Sequence, residues 1–154
     1  MKKMYHYKES GLDNVWLVNG FHVRQTSYGE ALSIEDVEGL YHAIAGGLIE
    51  KVGTLSAKEV RFLRKRLGLS QKNLAMLLGG DEQTVARWER GSTAIPAAAD
   101  RLLRAYYREA KEGRARVQEL LTRLAELDGQ EHERPLRLKW AKGGGAVQEW
   151  KTAA

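Results

Sequence analysis

The sequence predicts an α+β protein in which short strands and one helix precede an all-helical domain. Alternating apolar residues on both sides of Asn19-Gly20 predict a hairpin, because this dipeptide readily supplies the positive φ values of a two-residue turn. Further along, Ser56, Ser70 and Asp81 each precede a segment with helical apolar spacing, and each is a good N-cap residue. We therefore expect strands first and a helical domain after them.

These patterns divide the chain of 154 residues into three parts. Residues 1–53 form the N-terminal α+β unit, which is a candidate for partner binding or dimerisation, and residues 54–112 form the helical domain. Residues 113–154 hold a C-terminal helix and either a β-hairpin or a tail.

Composition limits the class of protein. Apolar residues make up 43% of the chain, which suffices for a packed core. No apolar run has the length of a membrane span, and the N-terminus lacks a signal-peptide pattern. The absence of cysteine excludes disulfides and thiolate zinc sites, and the four histidines show no paired spacing. We expect a cytoplasmic protein with no metal, no cofactor and no membrane partner.

The N-terminal unit is expected to contain three strands and a helix. Two of the strands flank the Asn19-Gly20 turn, with Trp16 and Val18 sharing a face with Phe21 and Val23, and the third is predicted within residues 28–32. Residues 4–9 are a further possible strand. The helix is predicted to begin with Ser33 as N-cap and Asp36 at N3, and to end near Gly53. Its apolar stripe comprises Val37, Leu40, Tyr41, Ile44 and Leu48.

The helical domain contains two short helices joined by a tight turn. Ser56 and Glu59 form a capping box for a preceding helix, and Gly79-Gly80 permits the sharp turn that follows the helix begun at Ser70. On the helix that starts after Asp81, Val85 and Trp88 point inward at i and i+3. The residues left facing outward are Glu82, Gln83, Ala86, Arg87 and Arg90. This is the geometry of a helix-turn-helix whose second helix enters the major groove of DNA.

Basic charge is concentrated in this domain. Residues 57–116 hold 14 Lys/Arg against 7 Asp/Glu, whereas residues 1–56 hold 5 against 7 and residues 117–154 hold 6 of each. A local excess of cations is typical of a surface that binds phosphates. The pattern favours double-stranded DNA as the partner over a merely solvated surface.

The segment from Leu69 to Gly91 resembles the Xre/Cro-type helix-turn-helix. The residues that carry the resemblance are Leu69-Ser70-Gln71, Leu74-Ala75, Leu78-Gly79, Thr84-Val85 and Arg87-Trp88-Glu89-Arg90-Gly91. The Gly79-Gly80 pair and the run from Arg87 to Gly91 look most like the MqsA-type antitoxins of bacterial toxin–antitoxin pairs. The resemblance implies a lambda-repressor-like fold for residues 54–112. MqsA-type antitoxins commonly carry a cysteine-ligated zinc domain before this fold, and the present chain lacks every cysteine.

The resemblance also implies roles for individual residues. Gln83 and Arg87 occupy the positions that read bases, Gln71 matches a glutamine that clamps a phosphate, and Ser92 or Thr93 with the loop amides are candidates for phosphate contacts. The predicted DNA-binding residues are Gln71, Lys72, Asp81, Glu82, Gln83, Thr84, Arg87, Arg90, Ser92 and Thr93. Lys65 and Arg66 could reach the DNA backbone or face solvent.

These features predict a sequence-specific transcriptional regulator that reads the major groove with residues 82–90, as a repressor or antitoxin-like autoregulator. The alternative is a protein-interaction adaptor, or a toxin-neutralising antitoxin, that keeps the helix-turn-helix mainly as a scaffold. No phosphate loop, nucleophile elbow or zinc-ligand spacing is present, so we expect no enzyme.

The C-terminal third leaves alternatives open. Apolar residues from Leu103 to Leu127 alternate by three and four, which predicts either a heptad seam in a homodimer or a helix that breaks near Gly113 and folds back over the core. Beyond Pro135, the alternation at 136–140 and 147–150 indicates either a hairpin, which could join the N-terminal strands, or a tail.

Overall fold

The computed structural model describes residues 3–112, 138–142 and 148–152. Its N-terminal part contains two separate antiparallel strand pairs. Strand β1 (Tyr5–His6) pairs with β2 (Trp16–Leu17), and a 3-10 turn at Lys8–Ser10 lies between them. Strand β3 (Phe21–Thr26) pairs with β4 (Gly29–Ile34) as an independent ribbon.

The hairpin predicted at Asn19-Gly20 is wrong. This dipeptide connects β2 to β3, which belong to different sheets, and the actual hairpin turn lies between Thr26 and Gly29. There the Thr26 hydroxyl donates to the Gly29 carbonyl at 2.7 Å and accepts from the Tyr28 amide at 3.2 Å, which closes the turn without an Asn-Gly pair. The predicted shared apolar face is also wrong, because β2 and β3 do not pair with each other, and Trp16, Val18 and Val23 are exposed.

Helix α1 (Val37–Glu50) follows the ribbon and begins later than predicted. Its N-cap is Asp36 rather than Ser33, and the Asp36 carboxylate accepts a hydrogen bond from the Gly39 amide at 3.1 Å. The helix ends at Glu50, before Gly53. Leu48 and Ala45 are buried, whereas Val37, which was predicted in the apolar stripe, is exposed.

Four further helices form the remainder of the described helical domain. They are α2 (Ala57–Arg66), α3 (Gln71–Leu78), α4 (Glu82–Arg90) and α5 (Ala97–Glu112). The predicted caps at Ser56, Ser70 and Asp81 are confirmed, since each side chain accepts a hydrogen bond from the amide three residues ahead. The α+β class is therefore confirmed, with N-terminal strands preceding the helices.

A single hydrophobic cluster joins the N-terminal unit to the helical domain. Leu12 and Leu48 belong to the same buried cluster as Val60, Leu63 and Leu74. The segment between α1 and α2, where the sequence predicts a domain boundary, is also fastened to α5. The Leu55 amide donates to Asp100 at 2.6 Å, and Arg104 donates to the carbonyls of Lys51 and Gly53.

The predicted heptad seam is only partly within the described residues. Leu103 and Tyr106 are buried in the core of their own chain, so these two positions are not available for a dimer seam. The seam positions after residue 112 lie outside the described residues, as does the possible break at Gly113.

A C-terminal hairpin is present. Strand β5 (Leu138–Lys142) pairs with β6 (Gln148–Thr152), and Trp140 lies opposite Trp150 with ring centroids 5.4 Å apart. Among the described strands, β5 and β6 form a sheet of their own, which is separate from the N-terminal strands β1, β2, β3 and β4. Of the helices in the described part of the chain, none has both the length and the apolar character needed to cross a bilayer.

Candidate nucleic-acid interface

Helix α4 is held by contacts on one side and at both ends. Val85 and Trp88, only 1% and 8% exposed, anchor its inner face in the core, as predicted. At its start, the Asp81 carboxylate accepts from the Thr84 amide at 2.8 Å and from the Thr84 hydroxyl at 2.9 Å. At its end, Gly91 adopts the left-handed conformation that closes the helix. The outer face is therefore presented in a fixed orientation.

That outer face consists of polar side chains that point to solvent. Glu82, Gln83, Arg87 and Arg90 are exposed. Across residues 3–112, the Gln83 and Arg87 side chains form no hydrogen bond or ion pair. Donors of this type that are free of internal partners can pair with base edges in a major groove.

Asp81 and Thr84 have mainly a local structural task. Hydrogen bonds from the Thr84 amide and then from its hydroxyl hold the pKa of the Asp81 carboxyl below its usual range. A carboxylate at this end of a helix is also favoured by the helix dipole. The two residues thus define where α4 begins.

A buried ion pair fixes α4 against α2. Arg64 donates to both carboxylate oxygens of Glu89, at 2.6 and 2.8 Å, and also donates to the Leu69 carbonyl at 2.9 Å. This pair was not anticipated from the sequence. A signal for it did exist, because Arg64 and Glu89 are charged residues on the inner sides of two amphipathic helices.

Gln71 lies at the start of α3 beside this pair. It is half-buried, and its side-chain amide donates to Glu89 at 3.3 Å. Gln71 therefore has a partner inside the protein. Lys72, the next residue, is exposed and has no acidic partner within residues 3–112.

The loop after α4 presents hydroxyl groups more openly than amides. The Ser92 and Thr93 amides both donate to the Arg87 carbonyl, at 3.0 and 3.5 Å, and so complete the end of the helix. The side chains of both residues are exposed. Phosphate contacts in this loop would thus use the hydroxyl groups of Ser92 and Thr93.

Lys65 and Arg66, for which the sequence allowed either a contact with the DNA backbone or exposure to solvent, lie in different surroundings. Arg66 lies over the Tyr41 ring at 5.6 Å and pairs with Glu38 at 3.3 Å, so it contacts α1. Lys65 is exposed. Arg66 is accordingly engaged by the N-terminal unit, while Lys65 is open to an external anion.

Two of the described histidines, His6 and His22, have ordinary contacts. His6 stacks on Trp16 with centroids 4.1 Å apart and bonds the Asp13 carbonyl, and His22 pairs with Glu35. In the part of the chain that the structure describes, no three or more His, Asp or Glu side chains form a group that could hold a metal. His132 lies outside that part.

The arrangement of α3 and α4 is that of a helix-turn-helix, the class of fold that places a second helix in the major groove. A helix-turn-helix family model, of the Xre/Cro type, matches residues 60–103. This family is a DNA-binding family rather than an enzyme family, and the match indicates a DNA-binding regulator. No curated protein and no solved structure gave a significant match to the chain.

Proposed function

We propose that the protein is a sequence-specific transcriptional repressor that reads its operator with the outer face of α4. The observation that carries this proposal is the pairing of a firmly anchored inner face with Gln83 and Arg87, which point outward and have no side-chain hydrogen bond or ion pair within residues 3–112. Because the backbone of α4 is fixed before DNA arrives, binding has to order only the side chains that make the contacts.

Each outward residue has a proposed partner. Arg87 donates to O6 and N7 of a guanine, Gln83 pairs with N6 and N7 of an adenine, and Glu82 accepts from N4 of a cytosine. Gln71, Lys72, Ser92 and Thr93 contact phosphates and set the register without reading sequence. Arg90, exposed at the end of α4, adds a cation beside the same backbone.

The repressor is proposed to act as a homodimer, since two half-sites about 34 Å apart align with two recognition helices. Leu103 and Tyr106 are buried in their own chain, so the dimer contact has to use other residues. Sedimentation at micromolar concentration, with and without operator, tests this point. A monomer under both conditions refutes the dimer but not the reading of bases by α4.

The biological setting proposed is autoregulation of the antitoxin type, in which a cognate toxin is held by the N-terminal unit. A specific observation favours a partner there: β3 and β4 form a ribbon of exposed strands, and Tyr28 at its turn is 99% exposed. If this partner role were the main one, the helix-turn-helix would serve chiefly as a scaffold. Co-expression with the product of a neighbouring reading frame, followed by co-purification, tests the toxin.

The decisive experiment compares Arg87→Ala with Lys72→Ala on an operator duplex and on random duplex. The operator is first selected from a random-sequence library. Arg87→Ala is expected to cost about 1–3 kcal/mol on the operator and to relax discrimination at one base pair, whereas Lys72→Ala weakens both duplexes alike and lowers the salt slope by about 1.

Two results would count against the proposal. Equal losses on both duplexes for Arg87→Ala would remove Arg87 from base reading. Failure of the library to yield any preferred sequence would favour the scaffold role.

A further inference from the structure

A cavity separate from the outer face of α4 lies between the N-terminal unit and α2. Its volume is about 530 Å³, within the range of small-molecule sites. Ser10 and Gly11 of the 3-10 turn, Glu38 and Tyr41 of α1, and several residues of α2 line it. Three different segments of the chain therefore converge on one space.

The apolar part of this cavity is aromatic. Tyr41 and Phe62 stack with centroids 5.8 Å apart and planes inclined by 23°. Phe62 is buried, and the guanidinium of Arg66 covers the Tyr41 ring. A planar aromatic body can pack on the flat guanidinium of Arg66 and meet the edges of the two rings, because a cation over an aromatic face is attracted to it.

The polar part of the cavity is cationic. Lys58, Arg61 and Lys65 recur at i, i+3 and i+7 and so share one side of α2, and Arg66 follows. The two outer cations are matched by acids of the N-terminal unit, Lys58 by Asp13 at 2.8 Å and Arg66 by Glu38 at 3.3 Å.

The two middle cations lack such a match. Arg61 and Lys65 are exposed and have no acidic partner within residues 3–112. They are four residues apart on one helix, where like charges repel. An anion bound between them would relieve this repulsion.

We propose that this cavity binds a small planar anion, an aromatic body bearing a carboxylate or phosphate. The ring system packs on the guanidinium of Arg66 that covers Tyr41 and against the ring edges of Tyr41 and Phe62 that line the cavity, and the anionic group is held by Arg61 and Lys65. This inference goes beyond the proposed function, since the cavity is built from α1, α2 and the N-terminal turn and binding of the small anion is measured without DNA.

The test is isothermal titration of the full chain with 1-naphthyl phosphate, alongside 1-naphthoate, the neutral 1-naphthol and inorganic phosphate. We expect binding of the two aromatic anions, and at least about tenfold weaker binding of 1-naphthol and inorganic phosphate, because each of these lacks one of the two contacts. The ratio of the dissociation constants of 1-naphthyl phosphate and 1-naphthoate identifies the preferred anionic group.

Matched variants locate the site. Arg61→Gln and Lys65→Gln are each expected to weaken 1-naphthyl phosphate binding by about tenfold, while Arg101→Gln, which removes an exposed cation of α5 outside the cavity, leaves it unchanged. In NMR spectra, the backbone amide chemical shifts of Gly11, Tyr41 and Arg61 are expected to change together as 1-naphthyl phosphate is added.

Three results would overturn the proposal. They are failure of both aromatic anions to bind, equal binding by wild type and the Arg61 and Lys65 variants, and shifts confined to other residues. Loss of random-duplex binding in those variants, without any probe binding, would reassign the two cations to DNA phosphates.

Discussion

Arg64 and Glu89 form a two-point ion pair, with nitrogen–oxygen distances of 2.6 and 2.8 Å, and their side chains are only 11% and 4% exposed. The pair connects α2 to the far end of the helix that is proposed to read DNA. A pair so well removed from water is costly to break on one side only, because the remaining charge stays buried.

Glu89→Ala is therefore expected to lower the free energy of unfolding by about 3 kcal/mol or more. The double variant Arg64→Met/Glu89→Leu should recover most of this loss, since no buried charge remains. Urea denaturation measures both. As a control, Asp13→Ala breaks the exposed Lys58–Asp13 pair and should change stability very little. A small effect of Glu89→Ala, similar to that control, would mean that the ion pair does not hold α4 in place.

The two glycines of the turn are expected to respond differently to alanine. Gly79 has a φ of 79°, so Gly79→Ala should cost about 1–2 kcal/mol, the penalty of a left-handed conformation for a residue with a Cβ atom. Gly80 has no positive φ, and an added Cβ meets nothing within 4 Å. Gly80→Ala should then be neutral or stabilising by up to about 1 kcal/mol. Thermal melts of the two variants measure these changes in stability. Equal changes would contradict the assignment of the left-handed conformation to Gly79 alone of the two glycines.

Glu59 is expected to make the free energy of unfolding depend on pH. Burial raises the pKa of its carboxyl, but hydrogen bonds from Lys51 and from the Ser56 backbone outweigh burial and hold the pKa below its ordinary value. A lowered folded-state pKa contributes stability above the unfolded value of about 4.3, and this stability is lost as the pH falls through the folded pKa. Denaturation midpoints from pH 7 to pH 3 should thus fall less steeply for Glu59→Gln than for wild type. Parallel curves would show that Glu59 does not contribute to the pH dependence.

Gln71 offers a test of phosphate contact that does not involve charge. If it clamps a phosphate, Gln71→Ala weakens operator and random duplex by the same factor and leaves the salt slope unchanged, because a neutral amide displaces no counterion. Gel-shift titrations at three salt concentrations measure this, with Lys72→Ala as the charged comparison. Unchanged binding would leave Gln71 only its hydrogen bond to Glu89.

The helical domain could be predicted closely because its signals are local. Ser56, Ser70 and Asp81 cap helices through amides three residues away, and Val85 and Trp88 follow helical periodicity. These relationships are contained within one or two turns of chain, where spacing alone decides which groups meet.

The N-terminal strands could not be predicted in the same way because their partners are distant. Tyr5 pairs with Leu17, twelve residues away, and no local pattern indicates this partner. Asn19-Gly20 gave the strongest local signal for a hairpin, but it connects strands of two different sheets. Ser33 is likewise a plausible cap, but β4 continues through it to Ile34. The partners of Gln71 and Arg66 also depended on helix packing, which spacing within one element does not reveal.

Asp100 and Arg104 of α5 hold the segment between α1 and α2 through hydrogen bonds, and this limits how α1 can move. Leu55 and Lys51 are tied to α5, so α1 cannot swing freely about a flexible tether. A partner protein that binds α1 would then keep a set angle to the DNA that α4 is proposed to read, and that angle would determine whether its bulk obstructs a polymerase.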